Sequence, residues 1–142
     1  MSKKQLLSLC FMVFMSLFFM HTNAQQSSGS QVYKDWTFIV EKANVDVFYK
    51  VLECKGRKEV HLKVFNDLPV AREVRFTFEL TNGANGKKLT KEIVLQAASA
   101  ARFIPECGND KLVDLKIALP KGFDPSALIA KATVLTQMGT NP

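Results

Sequence analysis

Along most of the chain the apolar residues fall on every second position, the period of a half-buried strand rather than a helix. Val45, Val47, Tyr49 and Val51 alternate with Asp46, Phe48 and Lys50, and Val60, Leu62 and Val64 alternate with His61 and Lys63. The same beat runs through Val74, Phe76, Phe78 and Leu80, through Leu89, Ile93 and Leu95, and through Val113, Leu115, Ile117 and Leu119. The spacing predicts strands over residues 36–40, 45–53, 59–66, 74–80, 89–95, 111–119 and 130–138. Pro69 ends one strand because it has no N–H for a ladder, and Asn82 to Gly86 forms a turn. Residues 97–104 fit a short strand, an irregular crossover or a helical turn, and Asp124-Pro125-Ser126 reads as an N-cap opening one helical turn. Short strands separated by turns at this rate predict a single antiparallel all-β sandwich or barrel of about seven strands.

The pattern also sets a register. With Lys55-Gly56 at the centre of a two-residue turn, Val51 meets Val60, Tyr49 meets Leu62 and Val47 meets Val64, so every apolar pair shares one face. Lys-Gly is not the strongest primed-turn pair, so a longer loop with a bulge stays open. The other face is mixed. Phe48, Leu52 and Phe65 lie there, either covered by another segment or forming a surface for a partner.

The first residues follow a different rule. Lys3 and Lys4 precede an apolar run from Leu6 to Met20, and Ala24 offers a small residue at a cleavage point. The run falls short of the roughly 20 residues that span a bilayer, so residues 1–24 read as a signal peptide. Residues 25–34 read as a flexible lead-in and 35–139 as the domain. The leader would bring the chain to the membrane only during export, and the mature protein is expected in the periplasm or outside the cell. Removing 24 of 142 residues leaves 118, enough for one domain. The two lysines leave with the leader, so 19 basic residues become 17 against 13 acidic. That mild excess, interspersed with acids, is not the basic stripe of a nucleic-acid binder.

Of three cysteines, Cys10 leaves with the leader, and Cys54 and Cys107 each adjoin a turn. In an oxidising compartment a bridge between them is the favoured reading. It would lie at an end or edge of the sheets, because Cys54 is off the face of Val47 and Val51. Free thiols, or metal or redox work, are the alternatives; two thiolates alone make an incomplete metal site. His61 is the one histidine of the mature chain and reads as an exposed strand residue beside Lys63 and Lys50, without a carboxylate to orient it. No catalytic residue, cofactor or metal ligand set is predicted. A hydrolase would need two of Glu53, Glu59, Glu79, Glu92, Asp110 and Asp114 to converge. Trp36 reads as a core-edge residue or, with Tyr33, as a platform for a glycan.

The leader, the stretch from Trp36 to Val51 with its Val-Phe-Tyr-Lys-Val, the Glu53-Cys54-Lys55-Gly56 turn and the late Cys107 resemble a group of small exported bacterial β-sandwich proteins of uncharacterised function. The resemblance implies an immunoglobulin-like or fibronectin-like sandwich and carries no catalytic residue. The expected role is a non-enzymatic module that binds a protein or a glycan. An accessory subunit that pairs by a strand or sheet edge is the second expectation, and a hydrolase the third.

Overall fold

A computed structural model describes residues 30–135. The expected leader, most of the lead-in and the end of the last predicted strand lie outside the described residues. The elements are β1 (Val32–Lys42), β2 (Val45–Cys54), β3 (Arg57–Asn66), β4 (Arg72–Asn82), β5 (Lys88–Ala97), β6 (Arg102–Phe103), a 3-10 turn (Val113–Leu115), β7 (Lys116–Ala118) and β8 (Leu128–Val134). The chain is all-β, in two antiparallel sheets. One runs β1-β2-β3-β6, with β7 also paired to β3, and the other runs β5-β4-β8.

One apolar cluster joins the sheets. Val45, Val47, Tyr49, Val51, Val60, Leu62 and Val64 from the first meet Val74, Phe76, Phe78, Leu80 and Ile93 from the second. The β2–β3 register is the one the alternation predicts, with Val51 on Val60, Tyr49 on Leu62 and Val47 on Val64. A one-residue slip would put those six side chains in water, at a cost on the order of 10 kcal/mol. The turn is a two-residue one. Lys55 and Gly56 both have positive φ, 51° and 76°, as a primed turn requires. Ala43 and Asn44 make the same kind of turn between β1 and β2, at φ 52° and 58°.

Two buried asparagines fasten the crossings between sheets. Asn66 Nδ2 donates to the Val70 and Ala98 carbonyls at 3.1 and 2.9 Å, while its Oδ1 accepts from Arg72 Nε at 2.9 Å. Asn82 Nδ2 donates to the Gly122 carbonyl at 2.9 Å. Beside it, Gly83 leaves no room for a side chain, because a Cβ would sit 2.9 Å from the Ala127 carbonyl oxygen.

The structure departs from the pattern in several places. β1 begins at Val32, so the last residues of the expected lead-in are strand. Residues 97–104 divide between the end of β5, a turn and the two-residue β6. The strand expected over 111–119 survives only as β7. Leu112 takes a left-handed conformation (φ 58°) and a 3-10 turn follows, which breaks the alternation and leaves Val113 58% exposed. Asp124 caps a turn rather than a helix: its Oδ1 accepts from Ser126 N and Oγ at 2.9 and 2.7 Å.

Candidate functional site

The face of the five-stranded sheet that points away from the core is built from cross-strand rows. Glu41, Asp46, Phe65 and Arg102 form one row across β1, β2, β3 and β6. Phe38, Phe48 and Lys63 form the next. Lys50, His61 and Lys116 form a third, and Val32, Leu52, Glu59 and Ala118 a fourth. The open end of this face, around the first two rows, is aromatic and charged. The other end is covered.

At the open end Phe38 meets Phe48 edge to face and Phe48 meets Phe65 at a tilt. Phe38 and Phe48 centroids lie 5.4 Å apart and Phe48 and Phe65 5.6 Å apart. Phe38 is 54% exposed, and Trp36, Phe48 and Phe65 are half-buried. Lys63 is the hub. Its Nζ stands 4.2 Å from the Phe48 ring centre, 4.9 Å from Trp36 and 5.3 Å from Phe65. The Arg102 guanidinium also lies over Phe65, at 4.2 Å from its ring centre. Each exposed cation–ring contact contributes roughly 0.5–1 kcal/mol, and the set holds the rings in place.

The charges here are only partly matched. Arg102 pairs with Asp67 at 3.3 Å, and Lys50 with Asp35 at 3.4 Å. Among the described residues Lys63 has no carboxylate within ion-pair distance. Glu41 and Asp46 have no cation of their own either, and the Asp46 carboxyl is pushed up by its burial and by Asp67 and Glu41, against a smaller pull from Arg102. Asp35 is held below the usual carboxylate range by the Trp36 N–H that it accepts and by Lys50.

At the covered end the chain after β6 folds back over the sheet and is pinned by a disulfide between Cys54 and Cys107, with Cα atoms 5.6 Å apart. The bridge lies off the core face, at the turn end of β2, as the pattern predicts. Leu52 is only 4% exposed as a result. The candidate surface of Phe48, Leu52 and Phe65 therefore divides, and Leu52 drops out of it.

His61 corrects a sequence expectation. It is 1% exposed, not a surface residue. Its Nε2 lies 3.0 Å from Oε2 of Glu59, itself 6% exposed, and Arg57 holds Oε1 of the same carboxylate at 3.3 Å. The pairing of β7 onto β3 and the pinned segment bury both residues. A pocket of about 230 Å³ opens beside them, lined in part by Arg57, Glu59, Asn109, Asp110 and Lys116. The pocket lining contains no hydroxyl or free thiol beside the pair. Among the described residues no three of His, Cys, Asp and Glu gather as a metal site would need.

Tyr33 and Trp36 do not share a groove. Both belong to β1, and residues three apart on a strand point to opposite faces. Tyr33 packs against the core and donates its hydroxyl to Glu53 Oε2 at 3.1 Å, and burial with that carboxylate pushes the phenol up. Trp36 lies on the outer face, beside Lys63 and Lys50.

Some of the site escaped the sequence. The Glu59-x-His61 spacing puts both side chains on one face of a strand and was the signal for the buried pair. Phe38 follows once its pairing with Phe48 is known. Arg102 had no signal, because the two residues of β6 show no period. No family model matches the chain, and no curated protein or solved structure matches it.

Proposed function

We propose that the chain is an exported, non-enzymatic module with an immunoglobulin-like sandwich that binds a protein on the open end of its five-stranded sheet. The observation that carries this is the row of Trp36, Phe38, Phe48 and Phe65 around an unmatched Lys63. Protein interfaces concentrate their binding energy in aromatic and arginine side chains packed this way. The tilt between rings, 69° and 56°, suits an interdigitating protein surface better than the flat stacking of a sugar. Export fits the disulfide, which persists in oxidising compartments. The immunoglobulin-like reading rests on two interlocked crossings: β3 and β4 lie in opposite sheets, and β7 and β8 return beside them. A pull-down from envelope and medium fractions tests the function. Wild type is expected to retain a specific protein that Phe38→Ala/Phe48→Ala loses. Equal capture by both would count against the aromatic face, and retention on a glycan matrix alone would replace the protein by a sugar.

A second reading has its own observation. Among the described residues β8 is paired only with β4, with β1 passing close beside part of its free side, and it carries Ile129 at 64% exposure. An accessory subunit could add a strand there.

A further inference from the structure

The inward row of β4 runs Arg72, Val74, Phe76, Phe78 and Leu80, every one of them buried. Its first member is a cation at a core position, 7% exposed. It stands at the end of the sandwich where the chain crosses from β3 to β4 and from β5 to β6. Among the described residues its guanidinium makes one hydrogen bond, from Nε to Asn66 Oδ1 at 2.9 Å. Its Nη2 is buried with no acceptor. The acids near it in the chain are taken: Asp67 pairs with Arg102 at 3.3 Å and Glu73 with Arg75 at 3.1 Å. We infer that Arg72 anchors a binding site for a carboxylate at this end of the sandwich.

A buried cation without a counter-charge destabilises a fold, and a buried donor without an acceptor is rare enough to need a cause. Asn66 supplies the mounting. Its Oδ1 holds Nε, while its Nδ2 is tied to the Val70 and Ala98 carbonyls, so the fork of the guanidinium is held at a set angle. What is left is a planar donor edge, which a carboxylate matches with its two oxygens. A single guanidinium, with Arg75 and Arg102 already paired, balances one negative charge and not the two of a phosphate. Because Nη2 has no solvent contact, an oxygen reaches it only when the chain over it shifts. The exposed turn at Ser99 and Ala100 is tied down there by Ala100 N donating to Leu68 O at 2.9 Å. Ala100 is held at φ 50°, a left-handed conformation that a residue with a side chain adopts at a cost, so an outward shift of this turn relieves strain.

The inference does not rest on the aromatic face. Thermal unfolding of the protein, purified as it accumulates after expression of the whole chain, is followed in sodium acetate and in sodium chloride of equal ionic strength. A dissociation constant on the order of 10 mM, ordinary for so small a ligand, would raise the midpoint by about 5 °C in roughly 100 mM acetate. Arg72→Met is expected to lose that rise, and Arg72→Lys, which keeps the charge without the fork, to lose most of it. A direct reading needs no variant: the Nε–Hε resonance of Arg72 in wild type should shift saturably as acetate is added. Acetyl-diglycine and its amide then distinguish the source. Tighter binding of the acid than of acetate, with none of the amide, assigns the carboxylate to a chain terminus, and equal binding of the two acids assigns it to a free small acid. A rise that chloride matches, a rise that Arg72→Met keeps, or a resonance that acetate leaves in place overturns the inference and makes the guanidinium a structural group only.

Discussion

Replacing Cys54 and Cys107 together with alanine opens a link between residues 53 positions apart in the chain. A cross-link of that span restricts the unfolded chain by an amount equivalent to about 4 kcal/mol in the loop-entropy account. A domain of this size has a total stability of roughly 5–15 kcal/mol, so the double variant should be marginal. The loss has a local part as well. Leu52, Glu59 and His61 are buried under the segment that Cys107 pins, and without the bridge that segment can lift without global unfolding. Urea unfolding followed by Trp36 fluorescence reads the global part. The midpoint is expected to fall and the slope m to rise, because an uncrosslinked unfolded chain exposes more surface. Hydrogen exchange reads the local part: amides of β3 around Glu59 and His61 should lose protection before those of β4. A loss under about 1 kcal/mol with m unchanged would refute the reasoning, since the bridge would then not constrain the unfolded state.

Three further outcomes are expected. Ala43 holds a left-handed conformation at φ 52°, so Ala43→Asn should raise stability by about 0.5–1 kcal/mol in the same urea assay. His61→Ala removes one partner of the buried Glu59 and should cost about 3 kcal/mol; a change near zero would mean that the pair has little structural weight. Asp46 has its pKa raised in the fold, so its ionisation costs stability at neutral pH, and that cost disappears as pH falls below the carboxylate range. Asp46→Asn should therefore stabilise the protein at neutral pH, with the difference from wild type shrinking in acid, as thermal melts across the pH range would show.

The fold was legible where burial is one-sided. The alternation of Val47, Tyr49 and Val51 with charged neighbours can be satisfied by one register only, and the structure has that register. The alternation at 111–119 is equally regular, yet a single left-handed residue, Leu112, turns most of it out of the sheet. Period alone cannot register such a kink, because a backbone sign change leaves the side-chain pattern intact. The outer face was legible only in halves. Phe48 and Phe65 follow from the hairpin register, but Leu52 is buried by a segment from over fifty residues away. His61 is buried rather than exposed because Glu59, two residues back on the same face, partners it, a contact that its neighbours Lys63 and Lys50 do not signal. Tyr33 and Trp36 part because both lie in β1, which begins at Val32 rather than Trp36, and residues three apart on a strand face opposite sides.

Site-specific photocrosslinking compares the three surfaces directly. A photoreactive phenylalanine analogue is placed at Phe38 on the aromatic face, at Ile129 on the β8 edge or at Val94 on the outer side of the other sheet, all of them exposed. After expression of the whole chain and irradiation in intact cells, adducts are predicted from Phe38 and not from Val94 or Ile129. Adducts from Ile129 alone would move the binding surface to the sheet edge, and adducts of equal strength from all three would contradict a dedicated surface altogether.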